Sequence, residues 1–470
     1  MTNAQPARND RQLRIILAVL ALTEINSAFE VGMVYGIVGS LVRDFGASAT
    51  GWIVSSFLLM GAISAALGSR LGDIFGRRRV VMILLGFTAL GSLINALSDS
   101  LTGLIIGRTI QGVAAALLPL CIGLVREYFP ASRVPKIIGW LTAIASFSAM
   151  LGIVLGGAIA DTIGWRFTFW IAAVHAVLSL ALVYALLPPS RAFGLTGRFD
   201  WLGGILFAPA IAALMLALEF LKTSGLSDPR FLGLLLAGLV LLLVWIRGEL
   251  RHESPMLDVR SLGTRQLGLA MLLMALFGVG SSQLMLMLLL IAQQPVWTGI
   301  GIGLSATVAA WLKIPSGLLG LVGSPWSGHL AGRSGARLAA VTGASIILLG
   351  WIIFYLMHDS VAQLVISSAV CTFGGAVLYA AIPNLVVEVA PAERTAELNG
   401  MSHVFRTIGT AVGTQMVTLL LATSSALTPE GEPSRHPSPE AFSIAFTAII
   451  AATALSVVVT LLLPKKPRPV

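Results

Sequence analysis

Two glutamates, Glu24 and Glu30, lie in an otherwise apolar stretch near the start of the chain, ALTEINSAFEVG (21–32). An ionised carboxyl group is costly to remove from water, and burial favours its protonated form. Such a group can bind and release protons, and while ionised it attracts a cation. Competition between a proton and a cationic substrate for one carboxylate would couple their opposite movements. The alternative is a structural acid that is paired with Arg or Lys.

Three basic residues, Arg108, Lys313 and Arg406, also lie inside apolar stretches. Arg108 requires an acid or several carbonyl groups as partners in such surroundings. Lys313 could pair with Glu24, contact an anionic part of a substrate, or line a cavity without a specific role. Arg406 lies near one end of its stretch, and we expect a structural role for it.

The sequence contains none of the residue groupings that enzymes of common classes use. Its six His residues are scattered without metal-ligand spacing, and it has no G-x-x-x-x-G-K-[ST] phosphate loop. Cys121 and Cys371 are far apart in apolar stretches, where Cys usually packs as a small buried side chain. We therefore expect no enzyme activity, no metal and no cofactor.

The composition is that of a membrane protein. Hydrophobic residues make up 56% of the 470 positions and charged residues 11%, whereas a soluble protein carries about 25% charged residues. Apolar runs of about 20 residues cross a bilayer, and lipid permits only helices or closed barrels. The runs are continuous rather than alternating, so they predict helices. The net charge of +9 is better explained by membrane orientation than by nucleic-acid binding.

Breaks at Gly, Pro and charge clusters predict fourteen membrane spans. The predicted spans cover residues 14–38, 50–70, 80–98, 102–125, 136–160, 167–187, 201–221, 230–247, 266–292, 302–329, 338–357, 361–386, 398–423 and 442–463. With the N-terminus in the cytoplasm, cytoplasmic segments hold 22 of the 30 Lys and Arg residues and outer loops hold five. The positive-inside rule therefore predicts a multi-pass inner-membrane protein with both termini in the cytoplasm. The first span is too long for a signal-peptide core, so we expect it to be retained.

The polar residues of the first span share one side of the predicted helix. With Thr23 at zero, Asn26, Glu30, Ser27 and Glu24 fall at about −60°, −20°, +40° and +100° around the axis. We expect this arc to face a water-filled cavity or the interior of a bundle. Glu24 lies near the predicted midplane, and Glu30 is about 9 Å further outward.

An internal repeat divides the chain. The segments SRLGDIFGRRR (69–79) and GHLAGRSGAR (328–337) follow spans 2 and 10 and share a Leu-Gly-Arg frame. Such repeats are typical of transporters built from two similar bundles. We predict an all-α fold with an N-terminal six-helix bundle in 1–190, two inserted transmembrane helices in 191–260 and a C-terminal six-helix bundle in 261–470.

Several motifs resemble those of the major facilitator superfamily, and within it the fourteen-helix drug/proton antiporters. The resemblance covers nearly the whole chain. LGDIFGRRR is similar to the loop 2–3 signature, and GRTIQGVAAALLP (107–119) to the helix 4 signature, with Arg108, Gln111 and Gly112 in place. Further similar segments are GWRFTFW (164–170), RFDWLGGILF (198–207) and FRTIGTAVGT (405–414).

The resemblance implies alternating access and assigns roles to residues. Glu30 stands where this group usually carries an Asp, which makes it the main proton-coupling candidate, with Glu24 as a substrate site or second proton site. Arg108 is implied in proton coupling through control of Glu30, the alternative being a fixed structural ion pair. The helix 5 segment GIVLGG (152–157) lacks the usual Pro, so uptake stays open beside export. Ser69 replaces the usual Gly of the loop 2–3 signature.

Asp73, Gly76, Arg77 and Arg78 form a candidate conformational latch after span 2. Asp73 could interact with a helix N-terminus and the arginines with carboxylates, which would hold the cytoplasmic side closed. The alternative is that these arginines only set the membrane topology.

The sequence thus predicts a proton-coupled antiporter, a monomer in the inner membrane, that exports small amphipathic or drug-like, often cationic, compounds. The alternative is an exporter or uptake symporter of one specific metabolite, anionic ones included, or of a siderophore. The expected partners are a small-molecule substrate, protons and lipid, with no nucleic acid. The candidate proton-coupling residues are Glu30, Glu24 and Arg108. The candidate substrate-binding residues are Glu24, Asn26, Glu30, Gln111 and Lys313.

Overall fold

The computed structural model describes residues 9–192, 201–225, 227–252, 255, 257–429 and 433–464. Helices account for nearly all of these residues. In chain order they are α1 (Asp10–Phe45), α2 (Ala47–Phe75), α3 (Arg77–Leu97), α4 (Leu101–Gln111), α5 (Leu117–Tyr128), α6 (Val134–Thr162), α7 (Arg166–Leu186), α8 (Trp201–Ser224), α9 (Pro229–Glu249), α10 (Arg265–Val279), α11 (Leu284–Gln293), α12 (Ala306–Trp311), α13 (Lys313–Ser334), α14 (Ala336–Leu356), α15 (Val361–Val389), α16 (Thr395–Leu421) and α17 (Pro439–Leu462).

A short antiparallel hairpin interrupts the helical pattern. Its strands are β1 (Ser425–Leu427) and β2 (Pro433–Pro437), between α16 and α17. The sequence predicts only helices, so this hairpin is an addition to the predicted all-α fold. It is short and polar, and it contributes no strand to the helical core.

Local signals set the helix ends. Asn9 caps α1, and its side chain and that of Gln12 satisfy backbone N–H groups reciprocally. Gly46 and Gly76 join α1 to α2 and α2 to α3 with φ of 85° and 98°. These left-handed conformations are readily adopted only by glycine, so the two reversals depend on the residue type.

Twelve helical segments in the described part are long and apolar enough to cross a membrane. Helices also occupy the other two predicted spans, as α8 and as α12 with α13. The continuous apolar stretch of α8 is shorter, Leu202–Leu218. The predicted span 302–329 is interrupted at Leu312, so no single apolar helix fills it.

The helices form two packed halves. In the first half α1 packs on α6 and α3 on α7, and in the second α14 packs on α15 and α10 on α16. One buried cluster includes Leu20 and Ile138 of the first half, and another includes Trp351 and Phe446 of the second. The halves meet where α6 packs on α13 and α2 on α16.

Between the halves in sequence, α8 and α9 pack mainly on each other. The sequence predicts that both face lipid, and α9 does so with exposed Leu236 and Leu243. In contrast, α8 also packs on α2 and α16. Gln415 donates a hydrogen bond to the Leu218 carbonyl (3.1 Å), and Trp52 contacts Phe220 edge-on. Thus α8 faces lipid less completely than the sequence predicts, because it also contacts both halves where they meet.

Candidate functional site

A cavity of about 490 Å³ lies between the two halves. Its lining comes from α1, α2, α5 and α6 on one side and from α10, α11, α13, α15 and α16 on the other. Small and apolar residues dominate the lining, with Phe57, Met150 and Phe277 among the larger ones. Among the described lining residues, the charged groups are Glu24, Lys313 and Arg406.

Glu24 projects from α1 into this cavity. The residue is 2% exposed, and its Oε2 atom has no hydrogen-bond partner among the described residues. Arg406 acts on it electrostatically from the other half. Lys313 does not pair with Glu24, since its Nζ donates to the Thr372 hydroxyl at 3.0 Å. Of the three alternatives for Lys313, pairing with Glu24 is therefore not seen, and Lys313 lies on the cavity wall.

Glu30 lies outside the cavity lining, in a buried polar pocket between α1, α3 and α4. Its Oε1 atom accepts hydrogen bonds from Ser92 Oγ (3.1 Å) and Gln111 Nε2 (3.3 Å). Its Oε2 atom has no partner in the described part of the chain. The carboxyl group is therefore held by neutral donors on one side only, at a residue exposure of 1%.

Arg108 approaches Glu30 without forming a close ion pair. Its Nη1 donates to the Glu30 backbone carbonyl (3.3 Å) and to Gln111 Oε1 (2.9 Å). Its guanidinium lies over the Phe57 ring, 4.1 Å from the centroid. Gln111 also donates to Ser92 (2.6 Å) and accepts from Asn95 (2.8 Å). Gln111 therefore links the cation to the carboxyl group and does not line the cavity.

A change of helix type positions Arg108 and Gln111. The α-helix α4 ends at Gln111 and continues as a 3₁₀ turn, Gly112–Ala116, before α5. A Cβ atom at Gly112 would collide with the α2 backbone, and one at Gly107 would collide with Asn95. These small residues let α4 approach α2 and α3 closely enough to place its polar side chains at Glu30.

The polar arc of the first helix divides between two environments. Glu24 and Ser27 line the cavity together with Val31. Asn26 points elsewhere and donates to Ser179 Oγ on α7 at 2.9 Å. With Glu30 and Gln111, Asn26 is thus a predicted substrate-binding residue that lies off the cavity in this conformation. The polar arc spans about 160° around α1. The cavity covers only part of this arc, because neighbouring helices pack against the remainder.

The candidate latch connects the two halves at the end of the molecule that carries the α2–α3 junction, which we call the basic end. Asp73 Oδ2 accepts a hydrogen bond from the Glu397 backbone N–H (2.9 Å), in the first turn of α16. Its Oδ1 pairs with Arg77 Nε at 2.7 Å. The predicted contact of Asp73 with a helix N-terminus is therefore present.

Arg77 extends the connection between the halves. It donates to the Gly123 carbonyl of α5 (2.9 Å) and to the Ala392 carbonyl of the other half (2.6 Å). A carboxylate, Glu127, lies 3.7 Å from it. Arg78 behaves differently, because it donates to the Val183 and Tyr184 carbonyls of its own half. The expectation that both arginines bind carboxylates is therefore wrong for Arg78, whose tether is to α7.

Further residues at the same end escaped the sequence prediction. Arg70 pairs with Glu397 at 3.2 Å, and Arg126 donates to the Ala390 carbonyl and to Thr395 Oγ1, both at 2.6 Å. The sequence placed both arginines among topology signals only. Glu397, an acid directly before the predicted span 398–423, is the sequence signal for such a partner.

Arg406 lies further inside its helix than the sequence predicts. It is in the middle of α16 and lines the cavity, and its guanidinium lies 5.4 Å from the Tyr379 ring centroid. The structural role that we expect for it stays a prediction. His403 lines the cavity one turn earlier on α16. Their position depends on how α16 sits against the first half, which helical periodicity does not specify.

Comparison with known proteins agrees with this architecture. The family model described as Major Facilitator Superfamily matches residues 20–414 and 270–470. The chain is 30% identical over 397 residues to Multidrug resistance protein Stp of Mycobacterium tuberculosis, covering 81% of this chain and 70% of that protein. It is 24% identical over 405 residues to Multidrug resistance protein 3 of Bacillus subtilis, covering 85% and 78%.

Solved structures share the fold. The human organic anion transporter MFSD10 superposes with a TM-score of 0.64 at 15% identity, covering 97% of this chain and 100% of that one. The proton:xylose symporter XylE superposes with a TM-score of 0.63 at 17% identity, covering 96% and 95%. The chain therefore belongs to the major facilitator superfamily, as a multi-pass membrane transporter and not an enzyme.

Proposed function

We propose that this protein is a proton-coupled antiporter of the fourteen-helix drug-export group. In this proposal α8 and the α12–α13 segment complete fourteen transmembrane spans, the basic end faces the cytoplasm with both termini, and a monomer in the inner membrane performs the transport. The substrates are small amphipathic or drug-like compounds, often cationic. The relatives named for multidrug resistance and the mostly apolar cavity support this substrate range.

The observation that carries the proposal is the separation of two acids on one helix. Glu24 faces the cavity, where a substrate would bind, whereas Glu30 lies about 9 Å along the helix in a polar pocket outside it. Two separate carboxyl groups allow one to bind a proton while the other contacts a substrate. Coupling between them then requires movement of α1, not competition at a single atom.

A continuous set of contacts connects Glu30 to the latch. Arg108 and Gln111 hold Glu30 from α4, and α4 continues through the 3₁₀ turn into α5. The Gly123 carbonyl of α5 accepts a hydrogen bond from Arg77, which also reaches the other half. We propose that protonation of Glu30 weakens its attraction to Arg108, shifts α4 against α1, and changes the closure of the basic end.

Transport driven by a pH gradient tests the proposal. Proteoliposomes would take up tetraphenylphosphonium only while the imposed gradient persists, and Glu30→Gln would abolish this uptake. Asp99→Asn is the matched control, because Asp99 is an exposed carboxylate that pairs with Arg166 at 2.8 Å. Gradient-driven uptake that Glu30→Gln leaves unchanged would contradict the assignment of Glu30.

A second candidate function is transport of one specific metabolite or siderophore, by export or by uptake. Lys313 on the cavity wall favours it, because a cation there does not suit a pump for permanent cations alone. A panel of lipophilic cations that neither releases protons nor moves with the gradient would favour this candidate over multidrug export.

A further inference from the structure

Lys313 presents a positive charge to the cavity from a break in its helix. It is the first residue of α13, directly after the interruption at Leu312, and no acid occupies the first turn of that helix. A lysine ammonium in a mostly apolar cavity is unfavourable unless an anion is near. Its one recorded hydrogen bond goes to the neutral Thr372 hydroxyl, and no described carboxylate lies within 4 Å.

Arg406 presents a second positive charge to the same cavity. Its guanidinium is over Tyr379, and its Nε atom has no hydrogen-bond partner in the described part of the chain. An arginine in an apolar cavity needs an acceptor for its donors. Glu24 acts on it from across the cavity, but no ion pair within 4 Å is formed between them in the described structure.

The two cations are arranged along one helix face. Their contacts on α15, Thr372 and Tyr379, are seven residues apart, which is two helical turns or about 10 Å. Gly375 and Ala376 lie between them and also line the cavity. These small residues leave open space between the two positive charges. With one acid and two bases, the charged lining has an excess of positive charge.

We propose that Lys313 and Arg406 form a binding site for the carboxylate or sulfonate group of an amphipathic substrate. The anionic group lies over Gly375 and Ala376, where the positive charges of the ammonium and the guanidinium attract it from both sides. The apolar part of the substrate packs on Phe57, Met150 and Ile153 in the first half of the cavity. The proposal rests on the proposed function in placing the substrate in this cavity, and it does not depend on proton coupling.

Binding of a matched set of probes in detergent tests this site. The probes are 11-(dansylamino)undecanoate, its neutral methyl ester and tetraphenylphosphonium, all titrated at fixed pH without a gradient. We expect the carboxylate to bind at least about tenfold more tightly than its ester, a difference of about 1.4 kcal/mol. Lys313→Gln and Arg406→Gln each remove this preference, whereas Glu24→Gln does not.

Two sets of variants separate binding from folding. Arg333→Gln is the matched control, because Arg333 is an exposed cation on the same helix as Lys313. Lys313→Arg and Arg406→Lys keep the charge and should retain the preference for the carboxylate. Equal binding of the carboxylate and the ester by the wild type would overturn the proposal. Loss of all three probes in the charge-preserving variants would also overturn it, by assigning both residues to folding.

The outcomes also separate this proposal from the proposed function. Failure of Glu30→Gln to alter gradient-driven uptake leaves the detergent binding measurements untouched. Conversely, loss of the carboxylate preference leaves proton-coupled transport of lipophilic cations in place.

Discussion

Glu24 and Glu30 are close in sequence and on the same helix, but their neighbours give them different chemistry. Glu24 has the cavity and a distant Arg406, whereas Glu30 has Ser92, Gln111 and Arg108 around it. The cost of a charge in an apolar run is visible in sequence, so both acids and Arg108 could be found there. Their partners could not be found from the sequence. Helical periodicity gives the angle of a side chain around its own helix, but not which neighbouring helix packs at that angle.

Gln111 is the residue through which we expect Arg108 to affect Glu30. Gln111→Leu removes a donor to Glu30 and the one oxygen that accepts from both Arg108 and Asn95, leaving buried polar groups unsatisfied. We expect gradient-driven uptake to fall at least about tenfold. The free energy of unfolding should fall by about 1–3 kcal/mol for each buried polar group left unpaired. Binding of tetraphenylphosphonium in detergent should persist, because Gln111 does not line the cavity. Gln293→Leu, an exposed position at the end of α11, is the control.

The latch connects whole helices, because it joins α2 and α3 to the start of α16. Arg77 bonds groups in both halves, but Arg78 bonds α7 alone. Removing one partner of a buried ion pair costs about 3–5 kcal/mol, which is enough to shift a two-state equilibrium. Loss of Arg77 should therefore open the basic end, whereas loss of Arg78 should not.

Cys371 is a native reporter of this opening, because both cysteines are buried but only Cys371 is among the described residues that line the cavity. In inside-out vesicles, we expect Arg77→Gln to raise the labelling rate of Cys371 by a membrane-impermeant thiol reagent at least about tenfold. Arg78→Gln is the matched control and Cys371→Ser identifies the signal. Equal labelling of Cys371 in the Arg77 and Arg78 variants would show that Arg77 has no special role in closing the basic end.

The inserted helix α8 is fastened to both halves, unlike α9. Gln415→Leu removes the hydrogen bond to the Leu218 carbonyl, worth about 0.5–1.5 kcal/mol. We expect a measurable drop in the melting temperature of the purified protein, with α8 still in place through Phe220 and Trp52. Thermal unfolding of Gln293→Leu, which alters an exposed side chain at the end of α11, gives the reference. An unchanged Tm for Gln415→Leu would show that this bond does not fasten α8.

Across the whole molecule, helices occupy all fourteen predicted spans, although in the described part of the chain twelve helical segments have the length and hydropathy expected of a span. Hydropathy, turns and charge clusters are local properties, so they located the segments. The interruption at Leu312, the 3₁₀ turn after Gln111 and the position of α8 arise from packing between distant segments. The cavity lies between the halves for the same reason, so its lining could be predicted only in part.

We propose above all that Glu30 carries the proton that couples to substrate binding. The most direct measurement is proton release on addition of tetraphenylphosphonium to the purified protein in weakly buffered detergent. We predict release from the wild type and from Asp99→Asn, and none from Glu30→Gln, although that variant still binds the cation. Proton release from Glu30→Gln equal to that of the wild type would show that another group carries the coupled proton.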